Sequence, residues 1–162
     1  MAIRNILPKR NPALRKVCRP VTKVDDRLVQ LIEDMTETML EADGVGLAAP
    51  QVGVLRRIVV VYDIDHNRTY ELINPEIVFQ EGQQHEVEGC LSIPGEYGYT
   101  DRPMKVRAKG LNREGKPVEV EGEGLLARAI CHEIDHLNGI LFTDHAEMVD
   151  AEEYLKQLEK ES

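Results

Sequence analysis

The segment His132-Glu133-Ile134-Asp135-His136 constrains this chain more than any other five residues. Positions four apart lie on one face of a helix, so both imidazoles can reach a single metal ion only if the segment is helical. The flanking residues agree. Leu125, Ala129, Ile130, Ile134 and Leu137 recur at helical intervals between Gly124 and Asn138, and Gly139 is placed to end the helix. Glu133 projects near the same face, where a carboxylate can exchange protons with a water held by the cation. So apolar a helix must be buried, with the rest of the fold packed around it.

Two histidines do not complete a catalytic site of this kind, which uses three protein ligands and one open position. A metzincin peptidase would place a third histidine at position 142, where this chain has Phe142. A thermolysin-like site would need a downstream glutamate, but Glu152, Glu153, Glu159 and Glu161 lie on an acidic stretch with too little chain after it to hold them. The remaining candidate is Cys90, within Glu88-Gly89-Cys90-Leu91-Ser92, a Gly-containing break where a thiolate can approach a metal from the sheet side. Cys131 is adjacent to His132 and points about 100° off the ligand face, which suits a buried apolar contact. His66, His85 and His145 sit in polar surroundings and read as surface residues.

A third stretch, Gly44-Val45-Gly46-Leu47-Ala48-Ala49-Pro50-Gln51, is small and uncharged and lets a backbone pass very close to a neighbour. These three stretches, in their order along the chain, resemble the three motifs of the peptide deformylases over nearly the whole chain. The resemblance implies removal of the formyl group from the N-formylmethionine of newly made bacterial or organellar proteins. It implies one divalent ion held by Cys90, His132 and His136, Fe²⁺ in the cell, with Zn²⁺, Ni²⁺ or Co²⁺ able to replace it. It further implies that the Gln51 amide and the Leu91 backbone N–H stabilise the oxyanion. Glu133 then serves as general base and acid toward a metal-bound water or hydroxide nucleophile. An extended substrate would lie beside Gly46 as an added strand, with Val45, Leu125, Ala129 and the face of His132 lining the methionine pocket and Arg128 either touching substrate near its rim or turned outward as a surface arginine. In place of Cys131, many deformylases have glutamine, a departure expected to alter packing behind the site.

Two other readings stand beside this one: a small metallopeptidase using the same two histidines, and a non-catalytic ribosome- or partner-binding domain with an idle metal site. Cys90 discriminates the first, since a peptidase would keep metal and activity without it. The second is opposed by the presence of every ligand, Glu133 and Gln51 together.

Length and composition bound the rest. A chain of 162 residues, 42% apolar and 30% charged, suits one catalytic domain over residues 1–162. Twenty basic against 29 acidic residues leave a net charge of −9, which opposes general nucleic-acid binding. The longest strongly apolar run, Ile58 to Tyr62, is far too short to cross a membrane. Three cysteines cannot all pair, which fits a reducing, cytoplasmic compartment, and the resemblance implies that of a bacterium. The first twenty residues carry Arg4, Lys9, Arg10, Arg15, Lys16 and Arg19 without an acid, but Pro8, Pro12 and Pro20 interrupt any helix, leaving a basic surface loop. The acidic stretch from Asp144 argues against ribosome docking through the C-terminus, although nascent-chain substrates imply proximity to the ribosome. A monomer is expected.

Asp25 is placed to cap a helix whose Leu28, Leu31, Ile32, Met35 and Met39 share one face. Strands are expected over Ile58–Tyr62, Thr69–Ile73 and Glu76–Phe79, the last two separated at Asn74-Pro75. A hairpin over Lys105–Ala108 and Pro117–Glu121 and a short last helix from about Asp150 complete the expected class. It is an α+β fold with antiparallel or mixed sheets around the helix of the two histidines.

Overall fold

The structure is a computed structural model describing residues 2–161, so Met1 and Ser162 of the expected 1–162 unit lie outside the described residues. In chain order the main elements are α1 (Asp26–Glu41), β1 (Gly46–Ala48), β2 (Ile58–Asp63), β3 (Arg68–Glu81), β4 (Gln84–Cys90), β5 (Ile93–Arg102), β6 (Lys105–Leu111), β7 (Pro117–Glu123), α2 (Leu125–Leu137), β8 (Glu147–Val149) and α3 (Ala151–Glu161). Strands β1-β2-β3-β6-β7 form a five-stranded sheet and β4-β5-β8 a three-stranded one. Neighbouring strands pair antiparallel throughout, so neither sheet is mixed. The fold is thus α+β with antiparallel sheets and three helices.

The two larger helices cover opposite faces of the five-stranded sheet. The apolar face of α1 packs on Ile58, Val60 and Ile73, whereas α2 packs on Val59, Val61, Leu72, Val106, Ala108 and Val120. Alternate residues of β2 therefore enter two different cores, and the run Ile58–Val61 is apolar without interruption because both its faces are buried. The Asp25 side chain accepts the Leu28 N–H at 3.0 Å and starts α1 as expected. At the far end of α2, Gly139 adopts φ +74° against the backbone of Arg15, where a Cβ would sit 2.7 Å from the Arg15 carbonyl oxygen.

Two expectations need correction. The Asn74-Pro75 pair does not end a strand: β3 continues through it with a register shift between Ile73 and Glu76. Asn74 takes φ +53°, a conformation its short polar side chain tolerates, and its amide clamps Val21 by accepting that residue's N–H at 2.8 Å and donating to its carbonyl at 2.9 Å. The segment around Cys90 is not a loose break either. Cys90 is the last residue of β4, followed by the two-residue turn Leu91-Ser92 and then β5, with Cys90 opposite Ile93. The charged stretch Gln84–Arg102 had too little alternation to reveal this hairpin. Among the described residues, no helix is long and apolar enough to cross a membrane.

Candidate metal centre and cleft

The hairpin turn and the helix meet at one point. Cys90 Sγ lies 3.4 Å from His136 Nε2, and ligand atoms of Cys90, His132 and His136 all fall within 4.8 Å of one another. Separations of this size leave room for an ion between thiolate and imidazole donors. His136 is almost fully buried, and its burial with the nearby charges of His132 and Arg102 holds its pKa well below the usual imidazole range. A neutral ring keeps its lone pair for a metal. Burial works against protonation of His132 as well, but Glu133, Cys90 and Glu88 converge on that ring and raise its pKa overall, so the centre attracts positive charge. Donor set and electrostatics both fit a divalent cation.

The orientation of His132 comes from residues the sequence reading did not assign. Its Nδ1 lies 3.0 Å from Glu88 Oε2, which leaves Nε2 to face the cluster. Glu88 also accepts Thr100 Oγ1 at 2.9 Å and Arg102 Nε at 2.8 Å, and Arg102 reaches Asp135 Oδ2 at 2.7 Å. Burial by itself would raise the Glu88 carboxyl, but the bonds from His132 and Arg102 outweigh it and hold the pKa at about 2. Glu88 thus remains an anion that aligns the ring. One signal was available: Glu88 is two positions from Cys90, and strand alternation puts both on one face. Nothing local marked Arg102 or Thr100, which are brought in by the β4-β5 register.

Glu133 stands beside the cluster, 4% exposed, and burial lifts its pKa to about 7. Its position depends on Gly46, where any Cβ would overlap Glu133 Oε2. Gly44 does the same for Leu91, with a Cβ there 2.7 Å from Leu91 Cδ1. The small residues of the Gly44–Gln51 stretch therefore let β1 run directly against α2 and the hairpin turn.

Gln51 is fastened at both ends of its amide. Its Oε1 accepts the Ala48 N–H at 2.9 Å, which turns Nε2 toward Ser92 Oγ at 3.1 Å and Cys90 Sγ at 3.7 Å. A donor is thus held at the centre. Leu91 follows Cys90 in the turn and lines the same cleft.

The cleft has a volume of about 460 Å³ and opens beside β1. Val45 and Gly46 from the β1 side, and Leu125 and Ala129 from α2, all border it, as do Gln51, Cys90, His132 and Glu133. His136 lies behind this surface. Cys131 is outside the ligand group; its burial raises the thiol to about 11, so it stays protonated. The side chains of His66, His85 and His145 are solvent-accessible and away from the group.

Three donors, a buried carboxylate with a near-neutral pKa and an open cleft define a metal-dependent hydrolase. The family model for polypeptide deformylase matches residues 3–152. The chain is 59% identical over 144 residues to a peptide deformylase of Alkaliphilus metalliredigens, covering 89% of this chain and 97% of that protein. Its structure is similar to that of a peptide deformylase from Legionella pneumophila, with a TM-score of 0.86 and 47% identity over 98% of this chain and 95% of that one. It is also similar to a peptide deformylase from Synechococcus elongatus in complex with actinonin, with a TM-score of 0.84 and 41% identity over 94% and 84% of the two chains. The chain belongs to the polypeptide deformylase family, metal-dependent hydrolases that remove a formyl group.

Proposed function

We propose that this chain removes the formyl group from the N-terminal formylmethionine of newly made polypeptides, releasing formate, in the cytoplasm of a bacterium. The observation that carries this reading is the convergence of Cys90, His132 and His136 next to Glu133 in a cleft bordered by an edge strand. The fold acts as one catalytic unit centred on α2, and the enzyme works as a monomer close to the ribosome without general nucleic-acid binding.

Cys90, His132 and His136 would hold one divalent ion, Fe²⁺ in the cell, with Zn²⁺, Ni²⁺ or Co²⁺ compatible with the same sulfur and nitrogen donors. When bound, that ion supplies Lewis acidity, lowering the pKa of water and polarising the formyl carbonyl. The remaining work belongs to the protein. Glu133, buried and poised near neutrality, takes a proton from water at a carboxylate oxygen and returns it to the departing amine, without which an amide nitrogen leaves slowly. Gln51 Nε2, fixed by its bond through Oε1 to Ala48, and the Leu91 N–H donate to the oxygen that gains charge.

β1 is an edge of its sheet, so the strand containing Gly46 offers backbone groups to an extended substrate. This mode accepts many sequences. Only methionine then needs a pocket, provided by Val45, Leu125 and Ala129.

The test is formate release from formyl-Met-Ala-Ser by protein loaded anaerobically with Fe²⁺ or with Ni²⁺, with Glu133→Ala as control. The expected outcome is release that falls by about 10²- to 10⁴-fold in the variant. Internal cleavage of an unformylated peptide with no formate release would overturn the reading in favour of a peptidase.

A further inference from the structure

Arg128 is the sole lysine or arginine bordering the cleft among the described residues. Its Nε is buried with no hydrogen-bond partner among the described residues. The other charged side chains there are acids: Glu88 and Glu133 are buried at the metal centre, and Asp43 lies at the other wall, next to Gly44. In a chain of net charge −9, a cation at the mouth of an otherwise acidic cleft is placed to attract an anionic group from outside.

Helix geometry locates that partner. Arg128 precedes His132 by one turn, roughly 6 Å along the axis, and helical side chains lean toward the N-terminal end, so the guanidinium extends farther still from the metal centre. Leu125, one turn beyond, is exposed, which marks this end of α2 as the open rim. On the outer side stand Tyr97, which borders the cleft, and Tyr154 of α3, whose ring centroid is 4.9 Å from that of Tyr97. Arg128 is near enough to this aromatic pair for its charge to act on the Tyr154 phenol.

An extended peptide advances about 3.3 Å per residue and turns alternate side chains to the same side. With methionine directed into the pocket on α2, the third residue points to the α2 side again, about 7 Å farther along. Arg128 borders the cleft on that same α2 wall. We propose that Arg128 is a specificity-determining residue that favours substrates with aspartate or glutamate at the third position, by a charge-assisted bond to their carboxylate. This rests on the deformylase reading of the cleft and adds a sequence preference to it.

The experiment compares kcat/KM for formyl-Met-Ala-Glu, formyl-Met-Ala-Ser and formyl-Met-Ala-Lys in metal-loaded wild type, Arg128→Gln and Arg128→Lys. In the wild type the glutamate peptide should exceed the lysine peptide by about fivefold, as for a partly exposed ion pair. The difference should reside in KM, shrink at high salt, vanish in Arg128→Gln and persist in part in Arg128→Lys. A ratio unchanged by Arg128→Gln overturns the proposal, and so does a parallel fall for all three peptides, which would mean a packing role. Absence of formate from every peptide with folded, metal-loaded wild type would instead remove the deformylase reading, and this proposal with it.

Discussion

Gly46 shows how much one residue decides at the centre. It contributes no functional group, yet its missing side chain is the space that Glu133 occupies. Gly46→Ala is therefore expected to keep the fold and bind metal while lowering kcat/KM at least tenfold, because the carboxylate must rotate or β1 must retreat. Steady-state formate release with metal content determined on the same preparation checks this; an alanine variant with full activity would show that Glu133 does not depend on the close approach. Cys90 and the two histidines could be proposed from the sequence because their chemistry is rare and their placement specific. Glu88 was quoted within its motif without a role, and only its bonds to His132, Thr100 and Arg102 assign one.

At the scale of elements, legibility followed local periodicity. The helices α1 and α2 have regular apolar spacing, α1 begins after its Asp25 cap, and α2 lies between Gly124 and Gly139 as those residues indicate. β4 and β5 are short of apolar residues because much of their outer surface faces water, so their alternation is faint. Long-range anchors are equally hidden. Asp34 on α1 is buried and accepts the Ala2 N–H at 2.8 Å and Arg4 Nε at 3.0 Å, tying the N-terminal segment to the helix. Burial acts to raise this carboxyl, but its donors, Gln30, Ala2 and Arg4, prevail and the pKa is lowered. A lowered folded-state pKa stabilises the fold fully above the unfolded value of about 3.9 and loses that contribution as pH falls through the folded value. Asp34→Asn should thus cost about 1–2 kcal/mol at pH 7, with the gap to wild type closing as pH falls below the unfolded value of about 3.9 and through the lower folded one. Urea midpoints across pH measure it, and a gap independent of pH would refute the assignment.

For the whole molecule, the centre joins parts that are far apart in sequence: β1 with its following turn, the β4-β5 hairpin, and α2. A cation bound by Cys90 and the two histidines would tie the hairpin to the helix and would favour the folded chain. Its removal should leave secondary structure intact while lowering the thermal midpoint. For a metal present at about a thousandfold its Kd, the loss is about 4 kcal/mol, or roughly 10 °C for a chain of this size. Calorimetry before and after chelation, then after Fe²⁺ or Ni²⁺ is restored, tests this; an unchanged midpoint would mean that these three residues hold no stabilising ion.

By itself the sequence determined the two main helices, the histidine face of α2 and the small-residue stretch before Gln51, because each is written in spacing over a few residues. Only the tertiary structure decided that Cys90 stands 3.4 Å from His136, that Arg102 supports Glu88, and that Gly46 makes room for Glu133. Those contacts depend on strand register and on how α2 seats against β1, which are set by burial of whole faces at once and leave no mark at any single position.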